Sequence, residues 1–453
     1  MTSLLSDELK DMSLDKDEYI ALLTKLIGES KYLQNNPRQN LVPEEGRVAK
    51  HVLEVLEPFK TENGGPLVIQ EFVYKEGRPN LKISFPGTSG KCTGLIGSHM
   101  DVVPANPETW ERDPFTLEYD EASDKLFGRG TTDCLGHVAM ITLLFKALAE
   151  KKPSLARSVV ALFIAGEEGG ESGVGVDAVV KEGHIEDLKN GTCYWIDSAD
   201  SQPCTGTAGA LQWHLTARGR LFHSGLPHRG INSLELASEA LAIVQRRFYE
   251  DFPPCAQEDE YGFATPSTMK PTQIECAQGA LNQLPPWTTL SGDIRLTPFY
   301  DPADVMTKVE GYVEELNQNM GTPGFIPTRG PCSKYTLEGD DIDIKSGKLE
   351  LKWADTLEGA VRQMEGIACD LKSLGLQALI DATTEVKGEP AKPYAITGSL
   401  PLVRQMQREG FDVQITGFGE SKAYHADNEY AILSNMKDAF QILLRVISIS
   451  DKF

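Results

Sequence analysis

The sequence has little that would staple, anchor or export a protein. Its eight cysteines lie scattered, with no CxxC pair. Neither a disulfide framework nor a cysteine-rich zinc ribbon therefore organises the chain, and the thiols read as free in a reducing compartment. The longest unbroken apolar run, Val159 to Ala165, is far too short to span a bilayer. The opening Met1-Thr-Ser-Leu-Leu-Ser-Asp-Glu-Leu-Lys is acidic where a signal peptide needs a basic start and an apolar run. Nor is it the Arg-rich, acid-poor stretch of a transit peptide. These features predict a cytoplasmic protein with no membrane partner. Positive charge is scarce: 44 Lys and Arg stand against 66 Asp and Glu, a net −22. That balance argues against a nucleic-acid partner, which needs a basic face. There is no internal repeat, no GxSxG nucleophile elbow, and no low-complexity tract beyond the polar stretch 333–347.

What is present suits a soluble α/β protein of 453 residues, long enough for two or three domains. Helical spacing of apolar positions runs over 17–28, 46–58 and Val138 to Leu148. Between these lie short continuous apolar strands: Leu95-Ile-Gly-Ser, Val159 to Ala165, and Cys193-Tyr-Trp-Ile. Continuous strands between helices predict a mainly parallel sheet. The middle of the chain differs. Trp213-His-Leu-Thr-Ala-Arg-Gly and Thr289-Leu-Ser-Gly-Asp-Ile-Arg-Leu alternate like half-exposed antiparallel strands, and helix patterns sit at 232–248 and 302–318. With a strand at Lys348 to Trp353, these make a smaller α+β domain over 207–354. Helical spacing resumes near 371, and an apolar helix runs from Ala431 to Ile449. The expected organisation is a catalytic domain in two parts, 1–206 and 355–453, interrupted by the α+β domain.

Five polar segments punctuate this pattern. Ser98-His99-Met100-Asp101 follows a buried strand, and residues two apart on an extended chain face the same way. Asp101 is thus placed to hold one imidazole nitrogen and leave the other for a metal. Gly128-Arg-Gly-Thr-Thr-Asp133-Cys-Leu-Gly136 precedes a helix. Asp133 is either an N-cap or a carboxylate ligand on a tight turn, and the Lys of a phosphate loop is missing. Cys134 reads as a small buried residue rather than a nucleophile. Gly166-Glu167-Glu168-Gly-Gly-Glu171 closes another apolar strand, and adjacent side chains there point apart. One carboxylate can serve a metal and the other can act as a base. Asp197 ends a third strand, with Asp200 its rival, and His425 stands in Gly417-Phe-Gly-Glu-Ser-Lys-Ala-Tyr-His425. Two histidines with three or four carboxylates suit a pair of Zn²⁺-like ions and disfavour a magnesium phosphatase.

Taken together and in order, the five segments resemble the M20 family of co-catalytic zinc peptidases and deacylases across nearly the whole chain. Tyr261-Gly-Phe-Ala-Thr-Pro-Ser-Thr-Met-Lys-Pro-Thr, Ser291-Gly-Asp-Ile-Arg-Leu-Thr-Pro-Phe-Tyr and Pro393-Tyr-Ala-Ile-Thr-Gly-Ser-Leu-Pro-Leu bring the likeness nearest to its acetylornithine deacetylase branch in the plant-type form. The resemblance implies two Zn²⁺, or Co²⁺, in a zinc-hydrolase domain. His99 and Asp197 would hold one ion, Glu168 and His425 the other, and Asp133 would bridge them. It makes Glu167 the general base and Asp101 the residue that orients His99. It makes the α+β domain a lid and dimerisation domain. There His223 would stabilise the oxyanion, while Asn282 and Arg295, with Thr397, Gly398 and Ser399, would bind substrate. The implied reaction removes the acetyl group from a small N-acylated amino acid, N-acetyl-L-ornithine, in a homodimer. Two departures stand out. Asp133-Cys-Leu-Gly136 replaces the family's frequent Asp-Met-Lys-Gly, and Asp197 stands where a Glu is common. An aminoacylase, dipeptidase or succinyl-diaminopimelate desuccinylase would share these ligands, as would a silent acyl-amino-acid-binding relative.

Overall fold

The computed structural model describes residues 4–197, 200–354, 363–398, 400 and 403–453. The chain divides into two compact units. One comprises residues 1–205, 369–394 and 401–453, the other 206–368 with 395–400.

The first unit is built on a mixed sheet. Its strands lie in the order Val68–Lys75, Arg78–Phe85, Ser158–Ile164, Cys92–His99, Gly191–Asp197, Asp412–Gly417. The first two form an antiparallel hairpin joined antiparallel to Ser158–Ile164. The remaining four strands are mutually parallel. Cys92–His99 is buried along its whole length. Parallel strands covered by helices lose the in–out alternation of a half-exposed sheet, which is why their sequences read as unbroken apolar runs. Helix Leu135–Lys151 is buried on most of its circumference and packs on Lys16–Glu29 and Gly46–Leu56. Helix Leu433–Ser450 packs on Leu374–Lys387. No helix among the described residues is long and apolar enough to cross a membrane.

Local chemistry sets the helix ends. Asp15 accepts from the Glu18 N–H at 2.9 Å, starting Lys16–Glu29, whose Tyr19, Leu22, Leu23, Leu26 and Ile27 face the core. Gly46–Leu56 gives way to a 3₁₀ turn at Glu57–Phe59, short of the expected residue 58, because Pro58 cannot donate to a continuing α-helix. The last helix starts at Leu433 rather than Ala431. Tyr430–Ile432 is a short strand antiparallel to Lys125–Phe127.

The second unit is a five-stranded antiparallel sheet, in the order Thr268–Cys276, Trp287–Leu296, Gly209–Arg218 and Lys348–Trp353, with the short strand Gln363–Met364 also pairing with Gly209–Arg218, and with helices Ser233–Asp251 and Pro302–Gln318 packed together and on the sheet. Gly209–Arg218 alternates buried and exposed positions and puts Leu211, Trp213, Leu215 and Ala217 in the core. Asn232 and Asp301 cap the two helices.

Candidate metal centre

The carboxyl ends of the parallel strands converge on one edge of the sheet, where open α/β sheets place ligands. His99 is the last residue of its strand. The register slips between Ile96 and His99, and Gly97 makes the slip at φ +91°. No side chain fits there, because a Cβ would lie 2.6 Å from the Trp195 ring. His99 Nδ1 lies 2.9 Å from the Asp101 backbone oxygen, so it carries a proton and Nε2 faces the site. The Asp101 carboxylate accepts from Asn35 Nδ2 at 2.8 Å and from the Glu167 and Glu168 N–H groups at 3.1 and 3.0 Å. It also lies 3.4 Å from His99 Nδ1. Burial alone would raise this carboxyl, but His99, then the Asn35 amide and the Arg78 charge, hold it below the usual range.

Asp133 is central. Its Oδ1 lies 2.8 Å from His99 Nε2 and its Oδ2 3.2 Å from His425 Nε2. Against the cost of burial, the two imidazoles keep this carboxyl well below its ordinary value. The Asp133–Cys134 peptide is cis. Glu167 and Glu168 follow strand Ser158–Ile164, and their side chains part as adjacent residues must. Glu167 Oε2 is 4.0 Å from His99 Nε2, and Glu168 Oε2 is 3.1 Å from His425 Nε2. Burial, and then the neighbouring carboxylates, raise both glutamates despite the imidazoles. His425 adopts φ +58° and is half exposed. Burial lowers its basicity, but Asp133 and Glu168 push it up to about 11.

Two groups of ligand atoms result, each lying within 4.8 Å of one another: His99, Asp133, Cys134 and Asp197, and Asp133, Glu168 and His425. Asp133 belongs to both. The donors are imidazole nitrogen and carboxylate oxygen, with one thiol that burial keeps protonated. That set suits a borderline divalent ion such as zinc. The cluster also leaves Glu168 Oε1 buried without a hydrogen-bond partner, an acceptor that a cation would satisfy. Of the rival aspartates, Asp197 lies in the first group, whereas Asp200 accepts from the Ser421 N–H at 2.7 Å and pairs with its hydroxyl.

The remaining candidates lie in the second unit. His223 accepts the Gly225 N–H through Nδ1 at 2.9 Å, and the Ser224 N–H donates to the Asn282 backbone oxygen at 2.8 Å, so His223 and Asn282 share one loop cluster. Arg295 pairs with Asp293 at 2.8 Å. Thr397 and Gly398 precede Ser399, which lies outside the described residues. Sequence reasoning missed Asn35, Glu429 and His137. Asn35 holds Asp101, Glu429 binds the loop of Asp133, and His137 accepts the Phe418 N–H at 3.0 Å. A lone Asn or Glu carries no pattern; for His137 the signal was a histidine in the otherwise apolar opening Leu135-Gly-His137-Val-Ala-Met-Ile of its helix.

Comparison with known proteins adds the decisive observation. A profile of peptidase family M20/M25/M40 matches residues 95–449. The chain belongs to the M20 peptidase family. Among solved structures, human carnosine dipeptidase 1 shares the fold, superposing with a TM-score of 0.67 at 16% identity and covering 96% of each chain. Among M20 relatives, acetylornithine deacetylase of Arabidopsis thaliana is 52% identical over 439 residues, 96% of each chain. Acetylornithine deacetylase of Dictyostelium discoideum is 47% identical over 449 residues, covering 97% of this chain and 98% of the relative.

Proposed function

We propose that the protein is a dinuclear metallohydrolase that removes the acetyl group from N-acetyl-L-ornithine, giving acetate and L-ornithine. The observation that carries the chemistry is Asp133, which turns one oxygen to each of two imidazole-containing groups. The choice of substrate is supported by the near full-length likeness to two acetylornithine deacetylases. His99 and Asp197 would hold one ion, Glu168 and His425 the other, with Asp133 shared. When bound, zinc or cobalt supplies Lewis acidity and lowers the pKa of water toward neutrality.

The protein's own groups do the rest. Glu167 lies 4.0 Å from His99 and makes no hydrogen bond to it, which leaves its carboxylate available to act first as a base and then as an acid. It takes a proton from the attacking water as the new C–O bond forms. It returns that proton to the amine as the C–N bond breaks. Asp101 fixes His99, and His223 would stabilise the oxyanion. Asn282, Arg295, Thr397, Gly398 and Ser399 bind the substrate's polar groups. The second unit acts as lid and homodimer contact, in a cytoplasmic enzyme of ornithine and arginine metabolism.

The test is a substrate panel. Protein stripped by chelator and reloaded with zinc or cobalt is assayed on N-acetyl-L-ornithine, N-acetylmethionine, dipeptides and succinyl-diaminopimelate. The expected result is that kcat/KM is highest for N-acetyl-L-ornithine and that activity returns only with metal. Preference for another substrate would overturn the specificity, and full activity after stripping would overturn the metal chemistry.

A further inference from the structure

We propose that Glu429 is a positioning residue for the metal centre: its buried carboxylate grips the backbone leading into Asp133 and sets the two Asp133 oxygens toward His99 and His425. The inference rests on the dinuclear reading above.

The geometry begins where strands Lys125–Phe127 and Tyr430–Ile432 pair, Tyr430 opposite Phe127. Beyond that pair the two chains diverge. One runs forward from Gly128 to Asp133, the other runs back from Glu429 to His425. Each arm ends in a ligand candidate. The ladder continues one step further, where the Gly128 N–H donates to the Glu429 oxygen at 3.1 Å. From there the Glu429 side chain takes over. Its Oε1 accepts from the N–H groups of Thr132 at 2.9 Å, Asp133 at 3.1 Å and Gly130 at 3.2 Å. Its Oε2 accepts from Gly130 at 3.2 Å and from Arg129 Nη1 at 2.7 Å. Glu429 has no solvent exposure, and Arg129 is also buried. Thr132 adds a second tie between the arms, donating its hydroxyl to the Tyr430 oxygen at 2.6 Å.

A carboxylate taken out of water is costly unless donors surround it; burial pushes Glu429 up to about 7, and Arg129 with the amides of Gly130 and Thr132 offsets part of that cost. An ordinary loop closure needs no such group, since a backbone ladder suffices. What the carboxylate adds is control of the amide of Asp133 itself, beside the side chain that must serve two imidazoles at 2.8 and 3.2 Å. A small rotation of that carboxylate would favour one imidazole over the other. Groups that orient a ligand in this way typically matter about 10- to 100-fold in metal affinity.

The experiment uses full-length protein stripped by chelator and titrated with Co²⁺ alone, reading free ion and the visible absorption bands of the bound metal. Glu429→Gln keeps size but turns one acceptor into a donor, which must face either the N–H cluster or Arg129. It is expected to fold, to bind cobalt about 10- to 100-fold more weakly and to show altered bands. Glu429→Asp, which restores the charge, is expected to recover part of the loss. Unchanged affinity and bands in Glu429→Gln, with normal uptake by wild type, overturn this proposal alone. Wild-type protein that takes up no cobalt overturns the dinuclear reading and this proposal with it. If Glu429→Gln fails to fold, Glu429→Asp decides, since it keeps the charge but shortens the reach to the Asp133 amide: cobalt binding weaker than wild type with altered bands supports the proposal, and wild-type affinity and bands overturn it.

Discussion

At the scale of single residues, acids and imidazoles do opposite work within a few ångströms. Glu167→Gln preserves the shape of the site but removes the base. Turnover is expected to fall about 10²- to 10⁴-fold with metal content unchanged; a wild-type kcat would take Glu167 out of the reaction. His137 makes a different prediction, on stability. Its Nε2 accepts the Phe418 N–H, so the ring must stay neutral, and burial lowers its pKa to about 4. The unfolded chain binds a proton near pH 6.5 and the folded chain does not. This contribution to stability is therefore complete above that pH and drains away as the pH falls toward 4. Between pH 7 and pH 5 the metal-free protein should lose about 2 kcal/mol more than His137→Gln, read from urea unfolding. Equal losses would show that the ring is not held neutral. The ligand candidates were readable in the sequence because each follows an apolar strand or a glycine-rich turn. Asn35 and Glu429 were not, because the groups they bind lie 66 and about 300 residues away and no local spacing records such a meeting.

At the scale of elements, the continuous burial of Cys92–His99, Ser158–Ile164 and Gly191–Asp197 made the parallel core visible in advance. Strand Thr268–Cys276 escaped notice because it is exposed along most of its length and carries Pro271, both typical of an edge. Tyr430–Ile432 was absorbed into the helix that follows it, since a three-residue apolar strand beside an apolar helix has no period of its own. The bulge at Gly97 offers a direct test of how an element aims a ligand. Gly97→Ala must either displace the Trp195 ring or straighten the strand, and a positive φ adds strain of its own. The expected cost is about 2 to 4 kcal/mol in urea unfolding, with weaker metal uptake because His99 swings with its strand. A variant as stable and as metal-avid as wild type would show that the bulge does not aim His99.

At the scale of the whole molecule, every ligand candidate belongs to the first unit. A ligand stabilises only the part that binds it, by about 2.7 kcal/mol at a hundred times its Kd. Scanning calorimetry should therefore resolve two transitions, of which added Zn²⁺ or Co²⁺ raises one. Equal movement of both would mean that the units unfold as a single cooperative block. The order of the candidates along the chain carries a further implication. Synthesis delivers His99, Asp133, Glu168 and Asp197 first, then the whole second unit, and only afterwards His425. Until that imidazole arrives, the growing polypeptide holds a cup of acids with one wall missing, so maturation of the centre waits on the making of an independent body in the middle of the gene product.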